Sequence, residues 1–105
     1  MSDENSDHNA GVVITHHEHG PGGKYVADVP DTKVTGYLEW EPQGENVRVA
    51  THTIVPREIG GRGIAALLVG KLIADARETG FKVVPQCWYV AKKFDENPEW
   101  SDLRA

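Results

Sequence analysis

The chain has 105 residues, a formal net charge of -5 at pH 7 and a single cysteine. This length suits one domain with a modest core and leaves no room for a second, substrate-binding domain. The negative charge argues against general nucleic-acid binding, and one cysteine cannot form an intrachain disulfide. Without a bilayer-spanning apolar run or a signal-peptide core, we expect a soluble, cytoplasmic protein with no membrane partner.

The start of the chain is polar. Residues 1–10 are rich in Ser, Asp, Asn and Glu and offer almost nothing to bury, so we predict a disordered leader there. Strand-forming residues begin at Val12, where a β-branched run starts. We therefore predict one folded domain over residues 11–105.

The first half of that domain is predicted to form four antiparallel strands joined by short turns. The predicted strands cover residues 12–19, 24–29, 34–40 and 47–55. Glycine and proline mark the turns, with Gly20-Pro21-Gly22-Gly23 as the first hairpin turn. The third strand alternates apolar and polar residues, as a half-buried strand does. Pro56 ends the fourth strand because proline cannot donate to a β-ladder.

The apolar period then changes to that of a helix over residues 63–79, with Gly80 as its C-terminal cap. One stripe of this helix carries Ala65, Leu68, Val69, Leu72, Ile73 and Ala76. A short fifth strand is predicted over residues 81–87 and a second helix over residues 88–96, ended by Pro98. For the tail after Pro98 we expect no more than a turn or a docked Trp100 and Leu103.

The predicted order is ββββαβα, which is a mixed α/β fold of the α+β class with one long and one short helix. The fourth strand, the long helix and the fifth strand form a βαβ crossover, so these two strands should be parallel neighbours. A mixed sheet follows, and its most informative loop precedes the long helix.

That loop is Gly60-Gly61-Arg62-Gly63. Glycines let an anion approach the main chain, and the first turn of a helix leaves N–H donors unpaired at the positive end of its dipole. The pattern predicts a pyrophosphate cradle. It is neither a P-loop, which needs Gly-Lys-Ser or Gly-Lys-Thr, nor a dinucleotide fingerprint. The alternative is a tight turn that binds no ligand.

Several segments together resemble the GNAT superfamily of acetyl-CoA-dependent acetyltransferases. They are Thr51-His52-Thr53-Ile54-Val55-Pro56, Gly61-Arg62-Gly63-Ile64-Ala65-Ala66-Leu67-Leu68, Ala76-Arg77, Val83-Val84-Pro85-Gln86-Cys87 and Asn97-Pro98-Glu99-Trp100. More closely, the chain is similar to the short, single-domain YjdJ-like branch. The resemblance covers residues 25–103 and implies a GNAT-like mixed sheet that binds acetyl-CoA or coenzyme A.

The resemblance also implies where the cofactor binds. The implied cradle is Gly60, Gly61, Arg62, Gly63, Ile64 and Ala65. Gly60 stands where the superfamily usually has Gln or Arg, so Arg62 is the candidate for the missing positive charge. The pantetheine arm is implied to pair with the main chain of Thr53, Ile54 and Val55. Lys92 and Lys93 are candidates for the adenosine 3'-phosphate, or else simply a solvated face.

Two side chains are candidate catalytic groups, since the resemblance directs the thioester toward both. His52 would be a general base, or else a strand histidine with a structural hydrogen bond. Cys87 would be a thiol facing the acetyl group, placed just before a helix that can lower its pKa, or else a small buried apolar residue. Tyr25, Tyr37 and Tyr89 are each conceivable acids, and no spacing selects one.

His16, His17 and His19 suggest metal ligands at first sight. Strand alternation, however, sends His17 and His19 to one face and His16 to the other, beside Glu18. At most two histidines then share a face. We therefore predict no metal site and interpret this segment as a polar strand end.

Two functions of different classes remain. The first is an N-acetyltransferase that moves acetyl from acetyl-CoA to an amine, thiol or protein acceptor. The second is a non-catalytic coenzyme A binding or carrier module, which is favoured by the lack of the additional helices and strands that shape acceptor pockets in longer GNAT domains. A structural role without cofactor is the third. An exposed strand edge permits a monomer or a weak dimer.

Overall fold

The computed structural model describes residues 11–105. Its strands are β1 (Val13–His19), β2 (Gly22–Asp28), β3 (Thr35–Pro42), β4 (Val47–Ile54) and β5 (Lys82–Pro85); its α-helices are α1 (Ile64–Thr79) and α2 (Trp88–Glu96); and 3-10 helices span Arg57–Ile59 and Pro98–Leu103. The predicted order ββββαβα and the mixed α+β class are confirmed. The predicted leader, residues 1–10, lies outside the described residues.

The five strands form one sheet in the order β1-β2-β3-β4-β5. The first three strand pairs are antiparallel, and β4 pairs with β5 in parallel from Val47 to Ala50. Since a parallel pair needs a crossover connection, α1 carries the chain from one end of the sheet back to the other. The parallel neighbours predicted from the βαβ pattern are confirmed.

The core lies between the sheet and α1. The helix buries Ile64, Leu68, Val69, Leu72, Ile73 and Ala76, and β3 alternates buried and partly exposed residues. One face of the sheet is therefore packed against the helix and the other is more open. The predicted stripe differs at its first position, since Ile64 is buried whereas Ala65 is only half-buried. Ile64 lies four residues before Leu68 and therefore on the same face of the helix.

The first hairpin turn is shorter than predicted, because Gly22 and Gly23 belong to β2. Their role is to leave space. A Cβ on Gly22 would lie 2.5 Å from the Trp40 carbonyl oxygen, and a Cβ on Gly23 would lie 2.6 Å from that of His17. The sequence indicated a glycine-rich turn, whereas the structure uses these two glycines for close backbone approach within the sheet.

The fifth strand is also shorter than predicted and ends at Pro85. Beyond it, the tail forms the second 3-10 helix with Leu103 buried. The chain then returns to the outer edge of β5, where the Ala105 N–H donates to the Val83 carbonyl at 2.8 Å. The tail thus covers one sheet edge, which satisfies main-chain groups that would otherwise be open.

A polar cluster joins four strands to α1. The Tyr25 hydroxyl, fully buried, donates to Asp75 Oδ2 at 2.9 Å and accepts from Arg48 at 3.1 Å. The Arg48 guanidinium lies 4.0 Å from the Trp40 ring centroid. Trp40 Nε1 donates to His16 Nε2 at 3.0 Å. Burial, with the Asp75 hydrogen bond, raises the pKa of Tyr25 well above its ordinary value, so the hydroxyl stays protonated and holds the cluster together.

Candidate acetyl-CoA site

A gap opens between β4 and β5. Their pairing ends at Ala50 and Pro85, and the last link is the Cys87 N–H donating to the Ala50 carbonyl at 2.9 Å. The chain then enters α2, while β4 continues to Ile54 beside β3. Within residues 11–105, no strand accompanies Thr51–Ile54 on the β5 side. This stretch of main chain can therefore pair with an extended, amide-containing ligand.

A β-bulge lies where this gap begins. The register of β3 and β4 shifts between Glu39 and Trp40, which pair with His52 and Ala50, so Thr51 is the extra residue. Its hydroxyl donates to the Glu39 carbonyl at 3.2 Å. A bulge bends a strand and re-aims its side chains. Sequence reasoning did not find it, because no local residue pattern distinguishes this bulge from regular strand.

The bulge fixes which face each side chain of β4 occupies. Thr53 pairs with Leu38, which is fully buried, so Thr53 lies on the face covered by α1. His52 pairs with Glu39 and is exposed on the opposite face. Cross-strand partners share a face of the sheet. Two consecutive residues of the open strand therefore point to opposite sides of the gap.

Cys87 sits on the helix side of the gap, half-buried, and immediately precedes α2. Its Sγ is 3.5 Å from Thr53 Oγ1. Burial by itself raises the pKa of the thiol, but hydrogen bonds from the Thr53 side chain and from the backbone of Val90 and Tyr89 outweigh it. The pKa of Cys87 consequently lies below its ordinary value. Amides at a helix N-terminus stabilise a thiolate in this way.

The two predicted catalytic residues are thus near the same gap but on different sides of it. Cys87 contacts Thr53 on the α1 face, while His52 faces away with Glu39. No hydrogen bond joins His52 to another side chain within the described part of the chain. The gap therefore offers a thiol from one side of the sheet and an imidazole from the other.

The predicted cradle follows the first 3-10 helix, whose buried Ile59 anchors the loop to the core. The four residues from Gly60 to Gly63 are exposed. Gly61 and Gly63 each have a φ of 77°, and a Cβ on either would meet nothing within 4 Å. Glycine is needed at these two positions for the left-handed backbone, and the space beside them is open.

Gly63 is the N-cap of α1 and provides no side-chain cap, so the amides of the first helical turn have no side-chain partner. Such amides, with the helix dipole behind them, favour a phosphate. Arg62 is exposed beside them and makes no salt bridge within residues 11–105. The loop thus combines free main-chain donors with an available guanidinium.

Lys92 and Lys93 both contact Glu96. The Nζ atoms lie 3.9 Å and 3.2 Å, respectively, from Glu96 carboxylate oxygens. The hydrogen bond to Glu96 raises the pKa of Lys93 above its ordinary value. In this structure Lys92 is exposed and Lys93 is partly exposed, and an adenosine phosphate would have to compete with Glu96 for both of them.

The three histidines of β1 divide as strand alternation predicts. His16 stacks on Tyr25 with ring centroids 4.5 Å apart, whereas His17 and His19 pair with Lys24 and Gly22 on the other face. Within the described residues no group of three or more His, Cys, Asp or Glu side chains could hold a metal ion.

No helix of residues 11–105 is both long and apolar enough to cross a membrane.

Comparison with known protein families agrees with this architecture. Residues 24–103 match a family described as GCN5-related N-acetyl-transferase. Because the match covers most of the chain, the protein belongs to this family. No curated protein matches the chain. Members of the family generally use acetyl-CoA as the acetyl donor. The superfamily predicted from the motifs is confirmed, and the YjdJ-like branch stays a prediction.

Proposed function

We propose that residues 11–105 form an acetyl-CoA-binding N-acetyltransferase domain that transfers acetyl to an amine. The observation that carries the proposal is the gap beside Thr51–Ile54, which has the glycine cradle at one end and the Cys87 thiol on one side. The exposed His52 imidazole lies on the other side. Family membership supports the reaction class, and this gap is where we propose that the reaction takes place.

The cofactor would bind at two places along the gap. Its pyrophosphate would accept hydrogen bonds from the amides of residues 60–65 and pair with Arg62. Its pantetheine arm would pair with the main chain of residues 53–55, as an added strand does. The α1 dipole adds a favourable interaction of roughly 0.3–1 kcal/mol with the anion. The thioester would then lie beside Thr53 and Cys87.

The chemistry follows from the two faces of the gap. An amine approaching from the His52 side attacks the thioester carbonyl carbon, and His52 accepts the proton that the amine loses. A C–N bond forms, the C–S bond breaks, and coenzyme A leaves as a thiolate. Cys87, which lies beside Thr53 on the α1 side of the gap, would give that thiolate a proton.

A covalent relay through Cys87 is the chemical alternative for this residue. Intact-protein mass spectrometry after incubation with acetyl-CoA separates the two. Direct transfer predicts no acetylated protein, whereas a relay gives an adduct of about 42 Da that Cys87→Ala abolishes. An adduct on Cys87 would replace the proton-donor role proposed here and would retain the transferase.

Cofactor binding itself is tested by calorimetric titration of acetyl-CoA into the wild type and a Gly63→Glu variant. A carboxylate in the cradle repels the pyrophosphate, so binding should be lost. Gly80→Glu is the matched control, because Gly80 has a φ of 88° with open space around it at the far end of α1. Unchanged affinity in Gly63→Glu would contradict the proposed site. Loss of binding in both variants would indicate general destabilisation.

A further inference from the structure

The sheet carries a cavity of about 570 Å3 that the proposed cofactor site does not use. His19, Glu39, Glu41 and Thr51 contribute to its lining. The strand register places His19, Glu39 and Glu41 on the sheet face opposite α1. The cavity is therefore reached from the side on which His52 is exposed, not from the side of the cradle.

The cavity adjoins His52 through two of its lining residues. Glu39 is the cross-strand partner of His52, and Thr51 is the bulge residue that directly precedes His52. Directly opposed residues in a sheet have Cβ atoms about 4.5–5.5 Å apart. A molecule seated in the cavity can thus place one of its atoms at the imidazole. This is the position an acceptor needs if the proposed function is correct.

The two carboxylates that line the cavity, those of Glu39 and Glu41, differ in their cross-strand neighbours. Lys24 on β2 is the cross-strand register partner of Glu39 on β3. Its Nζ atom lies 5.2 Å from the Tyr37 ring centroid. The positive charge of Lys24 favours the neutral form of an amine bound at His52, and it opposes the effect of the Glu39 carboxylate, which favours the ammonium. Glu41 is exposed, and within residues 11–105 it makes no salt bridge. Glu39 makes no salt bridge there either, but its cross-strand partner on β2 is Lys24, whereas the partner of Glu41 on β4 is Val49. Glu41 is therefore the carboxylate that a permanent cation can pair with.

The spacing of these groups defines the ligand. Glu39 and Glu41 lie on one face two positions apart, which is roughly 6.6 Å along a strand. None of the residues lining the cavity is Lys or Arg. Because His52 is the cross-strand partner of Glu39, Glu41 is a diagonal neighbour of His52, and such residues are about 7–8 Å apart. A short aliphatic chain spans this separation.

We propose that this cavity binds the acceptor and that the acceptor is a short aliphatic diamine, an inference that rests on the proposed function. One nitrogen lies at His52 and receives the acetyl group, forming an amide as the C–S bond of the thioester breaks. The other nitrogen remains an ammonium and pairs with Glu41. The product is the monoacetylated diamine and free coenzyme A.

The test compares 1,4-diaminobutane with butylamine at saturating acetyl-CoA. The diamine should have a kcat/KM roughly tenfold or more above that of butylamine, because only the diamine reaches Glu41 with a second charge. In Glu41→Gln this ratio should fall toward one. Glu45→Gln removes the same charge from an exposed turn residue outside this cavity, and it should keep the wild-type ratio.

Calorimetry on the protein saturated with coenzyme A gives a second measurement that does not depend on turnover. 1,4-diaminobutane should bind to the wild type and roughly tenfold more weakly to Glu41→Gln. Equal kcat/KM values for the two amines, or diamine binding that Glu41→Gln leaves unchanged, would overturn the diamine proposal while acetyl-CoA binding still stands. Absence of acetyl-CoA binding in the first titration would instead overturn the proposed function.

Discussion

The Sγ atom of Cys87 lies 3.5 Å from the Oγ1 atom of Thr53. This contact joins the start of α2 to the stretch of β4 that, among residues 11–105, has no neighbouring strand on its β5 side. The thiol is therefore held at the mouth of the gap by a hydroxyl group from the opposite wall. The same hydroxyl helps to lower the pKa of the thiol, so the effect of this contact on Cys87 can be measured.

Removing the Thr53 hydroxyl should raise the pKa of Cys87. In Thr53→Val the thiolate loses its side-chain hydrogen bond, while the backbone donors of α2 remain. The pH dependence of iodoacetamide alkylation should shift to higher pH, and the single cysteine makes the reaction site unambiguous. Thr51→Val is the matched control, since that hydroxyl bonds to the Glu39 carbonyl instead. A profile that does not move would show that the Thr53 contact leaves the thiol unaffected.

Introducing a long basic side chain at position 60, where the superfamily usually has Gln or Arg, should strengthen coenzyme A binding. Gly60 has a φ of -70°, and a Cβ there would lie no closer than 3.4 Å to another group, so Gly60→Arg fits without strain. A guanidinium beside the pyrophosphate should lower the dissociation constant several-fold in calorimetry. Gly61→Arg is the comparison variant, because it adds the same charge at a position with a φ of 77°. A side chain in this left-handed conformation costs roughly 1 kcal/mol of folding stability. Equal affinity in Gly60→Arg and wild type would argue that no phosphate lies near position 60.

Stability should fall below neutral pH because of His16. Burial, and next the nearby Arg48 charge, lower the pKa of His16 from its ordinary value of 6.5. The unfolded chain therefore binds the proton more tightly. The stability contributed by neutral His16 is fully present above pH 6.5 and is lost as pH falls through the folded-state pKa. Protonation also removes the acceptor that Trp40 uses at 3.0 Å.

Urea unfolding at several pH values measures this effect. The urea concentration at the midpoint of unfolding should decrease for the wild type as the pH is lowered from 7 to 5. In His16→Gln this decrease should be smaller. His17→Gln serves as the control, since His17 is exposed on the other face of β1. If both variants keep the wild-type slope, the pH dependence has another origin.

Tyr25→Phe should destabilise the fold. The change removes a hydroxyl that bonds to both Asp75 and Arg48, and it leaves these part-buried charged groups without that partner. A loss of about 1–3 kcal/mol in the free energy of unfolding is expected. Tyr37→Phe is the control, because the Tyr37 side chain is half-buried on the open face of the sheet, and it should be nearly neutral. A similar loss in both variants would mean that the hydroxyl network contributes little.

Local patterns in the sequence determined the elements of this protein. The apolar stripe of α1 was predicted with one residue of difference, since a helical period is a property of neighbouring residues. The parallel pairing of β4 and β5 followed from the crossover between them. The left-handed backbone at Gly61 and Gly63 was also foreseeable, because it depends on the residue type itself.

Tertiary structure alone decided how the candidate site is arranged. The bulge at Thr51 comes from the pairing of β3 with β4, and it places His52 and Thr53 on opposite faces. The same register forms the cavity beside Glu39 and Glu41. These features depend on which distant residues lie opposite each other, because a register shift of one residue exchanges the faces of a strand. The sequence thus identified Cys87 and His52 as candidates, and the fold placed them on two sides of one gap.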